Sequence, residues 1–389
     1  MKRAAIVVLD GLGIGPAPDT AAYGDEGSNT LGNVALAVGG LELPHLEALG
    51  LGRCRRVCGL SATVTPTAAH GVALPRSAGK DSTTGHWELC GVLLERPFRT
   101  YPRGFPAELI AEFGRRTGRA VLAGSNRAAS GTEIVAALGE AHQRSGEWIV
   151  YTSADSVFQV AAHEETVPLE ELYRACRVAR ELLIGDEAVS RVIARPFTGA
   201  PGSYKRTANR RDFSIEPSGR TLLDRLAEAE VPRVGVGKVD DLFAGRNITS
   251  EHTPTNADAY RLIERALEGL GTGFIFANVI EFDQTWGHRN DEAGFHRGLR
   301  ELDAWVPRLL TRLRDDDLVI LTADHGNDPT TPSTDHTREA VPVLVVGPRV
   351  RPVPLGDRPT FADVGATVAE HFGLAPLAAG TSFLREVWA

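Results

Sequence analysis

An α/β fold with a mainly parallel sheet and helices on both faces is what this sequence predicts, and three observations carry it. Strand-like and helix-like stretches alternate along almost the whole chain, the pattern of strands joined by crossover helices. The strand-like stretches include near-continuous apolar runs, 4–9 (AAIVVL), 274–280 (FIFANVI) and 317–322 (DLVILT), which suit strands buried on both faces. Each of these three runs gives out onto a carboxylate, Asp10, Asp283 or Asp324, at the strand end where open α/β sheets place their ligands.

Taken in order, the first strand over 4–9 breaks into the glycine-rich turn Gly11-Leu-Gly-Ile-Gly15. Residues 19–40, rich in Gly, Asn, Asp and Thr, read as a long loop, and 43–51 as a short helix. The polar stretch 79–85 reads as a second loop ahead of the apolar stretch 87–94, and Pro and Gly at 102–106 mark a boundary. Beyond it lie an amphipathic helix over 107–116, a short strand over 120–123, and a helix to about 144 opened by the capping box Ser130-Gly-Thr-Glu133. A strand over 148–152, a helix over 169–183 and a strand over 191–197 follow, closed by a Gly/Pro/Ser/Tyr turn at 199–204. From Thr221 the alternation resumes, with helices over 221–229, 256–270, 292–313 and 361–372 and strands over 233–237, 273–282, 317–321 and 341–346.

At 389 residues the chain exceeds what one core usually supports, so a large domain plus a smaller one is expected. Asp10 lies in the first block and Asp283 and Asp324 in the last, so 1–100 and 212–389 should form one discontinuous metal-binding core. Residues 101–211 then form an inserted, smaller α/β cap domain. A net charge of −8, with no basic block longer than Arg53-Cys-Arg-Arg56, argues against general nucleic-acid binding. No apolar run approaches the roughly 20 residues needed to cross a bilayer. The start, Met1-Lys-Arg3, lacks the apolar core of a signal peptide, so a cytoplasmic location is expected. Cys54, Cys58, Cys90 and Cys176 have no zinc-site spacing and read as reduced structural thiols.

Chemistry concentrates in 321–338, LTADHGNDPTTPSTDHTR, which holds Asp324, His325, Asp328, Asp335 and His336. With Asp10, and with Asp283 and His288 five residues apart, it supplies oxygen and nitrogen ligands better suited to two divalent ions than to one. Two such ions about 4 Å apart form the usual clamp for a phosphoryl group. Asp10, Asp283, Asp324 and one Ser or Thr alkoxide would cancel their four positive charges. The hydroxyl should come from Asp81-Ser-Thr-Thr-Gly-His86, where spacing does not choose among Ser82, Thr83 and Thr84. The phosphate dianion would need cations, for which Arg195, Arg206, Arg210 and Lys238 are candidates. Single histidines such as His142 and His371 read as packing or surface residues, and Asp328 and Asp335 as turn residues beside Pro329 and Pro332.

At these residues the chain resembles the alkaline phosphatase superfamily and, within it, the phosphopentomutases, across essentially its whole length. The resemblance rests on Thr322-Ala-Asp-His-Gly-Asn-Asp-Pro-Thr-Thr-Pro332, Thr334-Asp-His-Thr-Arg-Glu339 and the 79–88 loop. It rests further on the insertion motifs Ser130-Gly-Thr-Glu133, Tyr151-Thr-Ser-Ala-Asp-Ser-Val-Phe-Gln159, Ala162-His-Glu-Glu165 and Arg206-Thr-Ala-Asn-Arg210. It implies an alkaline-phosphatase-like core and transfer of phosphate between C1 and C5 oxygens of ribose or deoxyribose, through a phosphorylated enzyme. One ion would be held by Asp10, Asp324, His325 and the nucleophile Ser82, the other by Asp283, His288 and His336. Manganese is the metal implied, with a sugar bisphosphate as a possible activator. Ser153, Asp155, Arg195, Arg206 and Lys238 would bind the pentose phosphate substrate. Ser82 stands where the family carries threonine, which keeps Thr83 as an alternative nucleophile, and Gly11 stands where the family usually has serine. A phosphatase or phosphodiesterase using the same first step, and a phosphoglycerate-mutase-like enzyme, are the other readings. Oligomeric state is not legible in the sequence.

Overall fold

The structure is a computed structural model that describes residues 2–153 and 156–389. The chain forms two compact units: Met1–Pro97 with Pro217–Ala389, and Phe98–Glu216.

In the first unit an eight-stranded sheet runs, edge to edge, through Pro354–Arg358, Ala69–Ala73, Val341–Val346, Asp317–Thr322, Arg3–Leu9, Gly273–Val279, Arg233–Val236 and Ser250–Glu251. The five strands from Asp317–Thr322 to Ser250–Glu251 run parallel to one another, and Val341–Val346 is antiparallel to both of its neighbours. Every residue of Arg3–Leu9, Gly273–Val279, Asp317–Thr322 and Val341–Val346 is buried, as expected of strands covered on both faces. One group of helices gathers Glu292–Leu310 with Thr30–Ala37, Pro44–Leu49 and Asn256–Gly269; another gathers Ala362–Phe372 with Ser82–Leu89 and Leu222–Glu228. The register puts Leu9 beside Val279 and Val8 beside Thr322, so these strands end together at one edge of the sheet. No helix among the described residues is long and apolar enough to cross a membrane.

Several local expectations need correction. Residues 30–37, expected as loop, form the helix Thr30–Ala37, because Asn29 caps it by accepting the Gly32 N–H and its face of Leu31, Val34 and Ala35 is buried. The polar loop over 79–85 is half helix: Asp81 accepts the Thr84 N–H at 3.1 Å and starts Ser82–Leu89. The strand expected to reach 282 stops at Val279, and Phe282–Trp286 winds as a π-type turn. The short strand over 120–123 is a single bridge from Val121 to Trp148.

The second unit has its own sheet, in the order Ile149–Tyr151, Val157–His163, Arg191–Thr198 and Lys205–Arg206, with Arg211–Ser214 also paired to Arg191–Thr198. Among the described strands of this sheet, Val157–His163 and Arg191–Thr198 pair in parallel and the other pairs are antiparallel. Phe113, Trp148, Phe158 and Val192 anchor one core of this unit, and Ile134, Tyr151 and Phe197 a second. The capping box expected at Ser130 is half present: Ser130 Oγ accepts the Glu133 N–H, while Glu133 turns to Arg127.

Candidate active site

Backbone topology alone brings the acids together. Asp10 directly follows strand Arg3–Leu9, and Asp324 lies two residues past Thr322. Asp283 reaches the same edge on the π-type turn, and His288 follows on the adjoining 3-10 turn Gly287–Arg289. His288 Nε2 accordingly stands 3.3 Å from Asp283 Oδ2. After Asp324 the chain folds back on itself, with Gly326 and Thr337 exchanging backbone hydrogen bonds, so the His325 and His336 rings come within 4.2 Å of each other.

Two groups of ligand atoms result, Asp10, Asp324 and His325 in one and Asp283, His325 and His336 in the other, each with its atoms within 4.8 Å of one another. His325 Nε2 lies 3.4 Å from Asp10 Oδ1 and 3.3 Å from Asp324 Oδ2, while His336 Nε2 lies 3.3 Å from Asp283 Oδ1. His325 therefore faces both groups, and His288 joins the second through Asp283. Among the three hydroxyls only Ser82 reaches in: its Oγ is 3.1 Å from His325 Nε2 and 3.4 Å from Asp10 Oδ1. Thr84 Oγ1 is occupied by Asp81 Oδ2 at 2.6 Å, and Thr83 is buried.

Burial pushes the Asp10 carboxyl up, and repulsion from Asp324 and Asp283 adds to it. Burial also opposes ionisation of Asp283, yet the His336 and His288 imidazoles hold it well below the usual carboxylate range. Burial works against a charged His288 as well, but Asp283 carries it up to about 9. Asp324 Oδ2 is a buried oxygen that accepts no hydrogen bond, although His86 Nδ1 stands 3.1 Å away. Three crowded carboxylates with an oxygen left unsatisfied, faced by imidazoles, are a donor set that fits divalent cations.

Sequence reasoning missed the residues that hold this set in place. Asn327 Nδ2 donates to Asp283 Oδ1 at 2.7 Å, and the Gly11 N–H donates to Asp324 Oδ1 at 3.1 Å. Gly11 has φ +78°, and an added Cβ would meet the Cβ atoms of Asn327 and Asp283 at 3.1 and 3.3 Å, so glycine relieves both the backbone strain and a tight approach here. Buried Arg338 is chelated by Asp19 and donates to the carbonyls of Pro75, Ser77 and Gly79, tying the approach to Ser82 to the segment that carries His336. Arg338 lies in a motif singled out from sequence, but these partners are hundreds of residues away along the chain.

The substrate candidates divide between the units. Lys238 lies in the first, two residues past strand Arg233–Val236. In the second, Arg195, Arg206 and Arg210 line one hollow with Pro196 and Thr207. Arg195 Nε donates to Gln159 Oε1 at 2.9 Å, and Arg210 pairs with Asp212. Burial, then the neighbouring Arg210 guanidinium, draw Arg195 below its usual range. Ser153 is half-buried, and Asp155 lies outside the described residues.

Residues 2–376 match the family model of the Metalloenzyme superfamily. The chain is 54% identical to the phosphopentomutase of Carboxydothermus hydrogenoformans, over 100% of both chains. It is 55% identical to that of Anaeromyxobacter dehalogenans, over 99% of this chain and 98% of the relative. Among solved structures, a Leishmania mexicana phosphoglycerate mutase shares the fold at a TM-score of 0.50 and 15% identity, covering 98% of this chain and 97% of that one.

Proposed function

Because the chain belongs to the phosphopentomutase family of the metalloenzyme superfamily, we propose that its strand-end cluster and Ser82 carry that family's reaction. The enzyme is an isomerase, an intramolecular phosphotransferase that interconverts the 1-phosphate and 5-phosphate of ribose or deoxyribose. The observation that supports Ser82 as nucleophile is its Oγ, 3.1 Å from His325 Nε2 and 3.4 Å from Asp10 Oδ1 at the start of a helix.

Asp10, Asp324, His325 and Ser82 would hold one divalent ion, and Asp283, His288 and His336 the other, with manganese our choice for an oxygen-rich site. Bound there, the ions would neutralise the phosphoryl oxygens and make the Ser82 hydroxyl easier to deprotonate. Phosphorylated Ser82 passes its phosphoryl group to the free hydroxyl of the bound sugar monophosphate, which gives up its proton to Ser82 Oγ as the Oγ–P bond breaks, and a sugar bisphosphate results. The phosphoseryl group sits on the first residue of helix Ser82–Leu89, where the free N–H groups and helix dipole favour negative charge. Ser82 Oγ then loses its proton and attacks the bisphosphate's other phosphorus, the bond from that phosphorus to the sugar oxygen breaks, that oxygen takes up a proton, and the isomeric monophosphate leaves the phosphoseryl enzyme restored. Asp324 is held by the Gly11 N–H and Asp283 by Asn327, so neither carboxylate needs to reorient during the two transfers.

We assign Arg195, Arg206 and Lys238 to the phosphate that is not in transfer, and Ser153 and Asp155 to the sugar hydroxyls. A sugar bisphosphate is the activator we expect, since it can phosphorylate Ser82 before the first turnover. Incubation with Mn²⁺ and ribose 5-phosphate, followed by ³¹P NMR, tests the reading. Ribose 1-phosphate should accumulate with little free phosphate; Ser82→Ala should abolish both turnover and phosphoenzyme, and Thr83→Ala should spare both. Steady release of phosphate without isomerisation, or loss of the phosphoenzyme only in Thr83→Ala, would contradict it.

A further inference from the structure

Helix Ser82–Leu89 is docked tightly against the segment that carries Asp324. A Cβ added at Gly85 would overlap the Asp324 carbonyl oxygen and stand 2.7 Å from Asp324 Cβ, so residue 85 has no room for a side chain. The next residue, His86, fills the same contact with its ring. It is fully buried, and its Nδ1 stands 2.9 Å from the Ser82 carbonyl oxygen, four residues back along the helix, and 3.1 Å from Asp324 Oδ2.

The neighbours assign the tautomer. Carbonyl and carboxylate oxygens face Nδ1, which therefore carries a proton, while Nε2 faces the Asn278 amide nitrogen at 3.4 Å and can accept from it. The Nδ1–H is given to the Ser82 carbonyl. Asp324 Oδ2, beside it, accepts no hydrogen bond, so its lone pairs stay open to an ion while the polar edge of the ring favours its negative charge. The ring thus holds the peptide of Ser82 rather than its hydroxyl, which faces His325 and Asp10. Strand Gly273–Val279 supports the ring from behind, through Asn278 and, two residues earlier on the same face, Phe276 at 5.5 Å between ring centres. Outer contacts of this kind keep metal ligands in place, and a shift of about 1 Å between reacting groups costs about 10²-fold in rate.

We propose that His86 is a positioning residue whose Nδ1–H locks the Ser82 peptide against Asp324, so that nucleophile and carboxylate keep one separation through both phosphoryl transfers. The proposal deepens the reading of Ser82 as nucleophile and Asp324 as ligand, and rests on it.

Two amides distinguish the ring nitrogens, because the side-chain nitrogen of asparagine takes the place of Nδ1 and that of glutamine the place of Nε2. Wild type and both variants are measured for phosphate on Ser82, for kcat and KM, and for Mn²⁺ dissociation constants by titrating metal-free enzyme and following the free ion by electron paramagnetic resonance. His86→Gln should lower kcat about 10²-fold with KM within about threefold, and should weaken one Mn²⁺ about 10- to 100-fold while the other stays within about threefold. His86→Asn should recover most of both losses, leaving kcat within about tenfold of wild type. Asparagine leaves the larger cavity, so a ring needed only for packing would give the reverse order. His86→Asn that does not fold, or that equals or falls below His86→Gln in kcat, overturns the proposal. So does kcat within about threefold of wild type in both variants, or unchanged Mn²⁺ constants in His86→Gln. Wild-type enzyme that turns over without phosphate on Ser82 would instead bring down the reading of Ser82 itself, and the role of His86 with it.

Discussion

The strand-end cluster of the first unit and the arginine hollow of the second are built on opposite principles of charge. The first gathers buried Asp10, Asp283, Asp324 and His325 with the partly exposed His288 and His336. The second gathers Arg195, Arg206 and Arg210 around a hollow, with Asp212 engaged by Arg210 and Glu164 by Thr207. In both places like charges are held against their mutual repulsion by the backbone that carries them. Such crowding disfavours the folded chain unless a ligand of the opposite sign relieves it, which is why perturbed groups gather at functional sites. The contrast sets the proposed ligands apart by charge: the carboxylates suit cations, and the guanidiniums suit an anion.

The largest effect should come from the cation side. Asp324→Asn keeps the shape of the side chain but removes a charge that faces His325 and His86, and kcat should fall by at least about 10³-fold while the fold persists in circular dichroism. An effect of tenfold or less in steady-state assays, on the order of what a peripheral contact is worth, would break the contrast.

A smaller effect is expected on the anion side. Arg206→Ala removes an exposed guanidinium that ends beside Gly131, and should raise KM by about 10- to 100-fold with a much smaller change in kcat. Lysine at the same position should recover only part of the loss, because an ammonium cannot reproduce the planar fork. A fall in kcat with KM unchanged, measured in the same assays, would place Arg206 elsewhere in the reaction.

The smallest effect concerns a histidine outside both regions. His371 is buried like His325, but with little to favour its charge, and burial followed by the nearby Lys2 holds it down to about 4. His325, by contrast, is driven well above its usual range by carboxylates that overcome its burial. A folded-state value below the unfolded one means that neutral His371 stabilises the fold fully above about pH 6.5, a contribution lost as pH falls toward 4. Urea unfolding should therefore show His371→Gln gaining about 2 kcal/mol on wild type between pH 7.5 and pH 5. A difference that does not change with pH would show that His371 does not titrate in this way.

Much of this organisation was legible in the sequence, for identifiable reasons. Asp10, Asp283 and Asp324 stand out because buried parallel strands read as apolar runs, and the carboxylate that ends such a run is conspicuous. His325 and His336 were visible as members of one dense motif, although the fold-back at Gly326 and Thr337 that joins their rings was not. The helix Thr30–Ala37 was hidden by Gly32 and Asn33, which lower its local propensity while burial of Leu31 and Val34 stabilises it. Strand Val157–His163 was missed because it is short and mixes Gln and His with its apolar residues. Asn327 and Arg338 act on partners distant along the chain, and no local pattern reports such contacts. Ser82 separates from Thr83 and Thr84 by geometry only once the helix start is in place.

Counting bound metal tests most directly the claim that two sets of ligands serve Ser82. Elemental analysis of Mn²⁺-loaded, dialysed enzyme should give two ions per chain for wild type and one for Asp283→Asn, which keeps Asp10, Asp324 and His325 intact. One ion per chain in the wild type, or two retained by Asp283→Asn, would contradict the two-ion arrangement and with it the roles of Asp283, His288 and His336 as ligands.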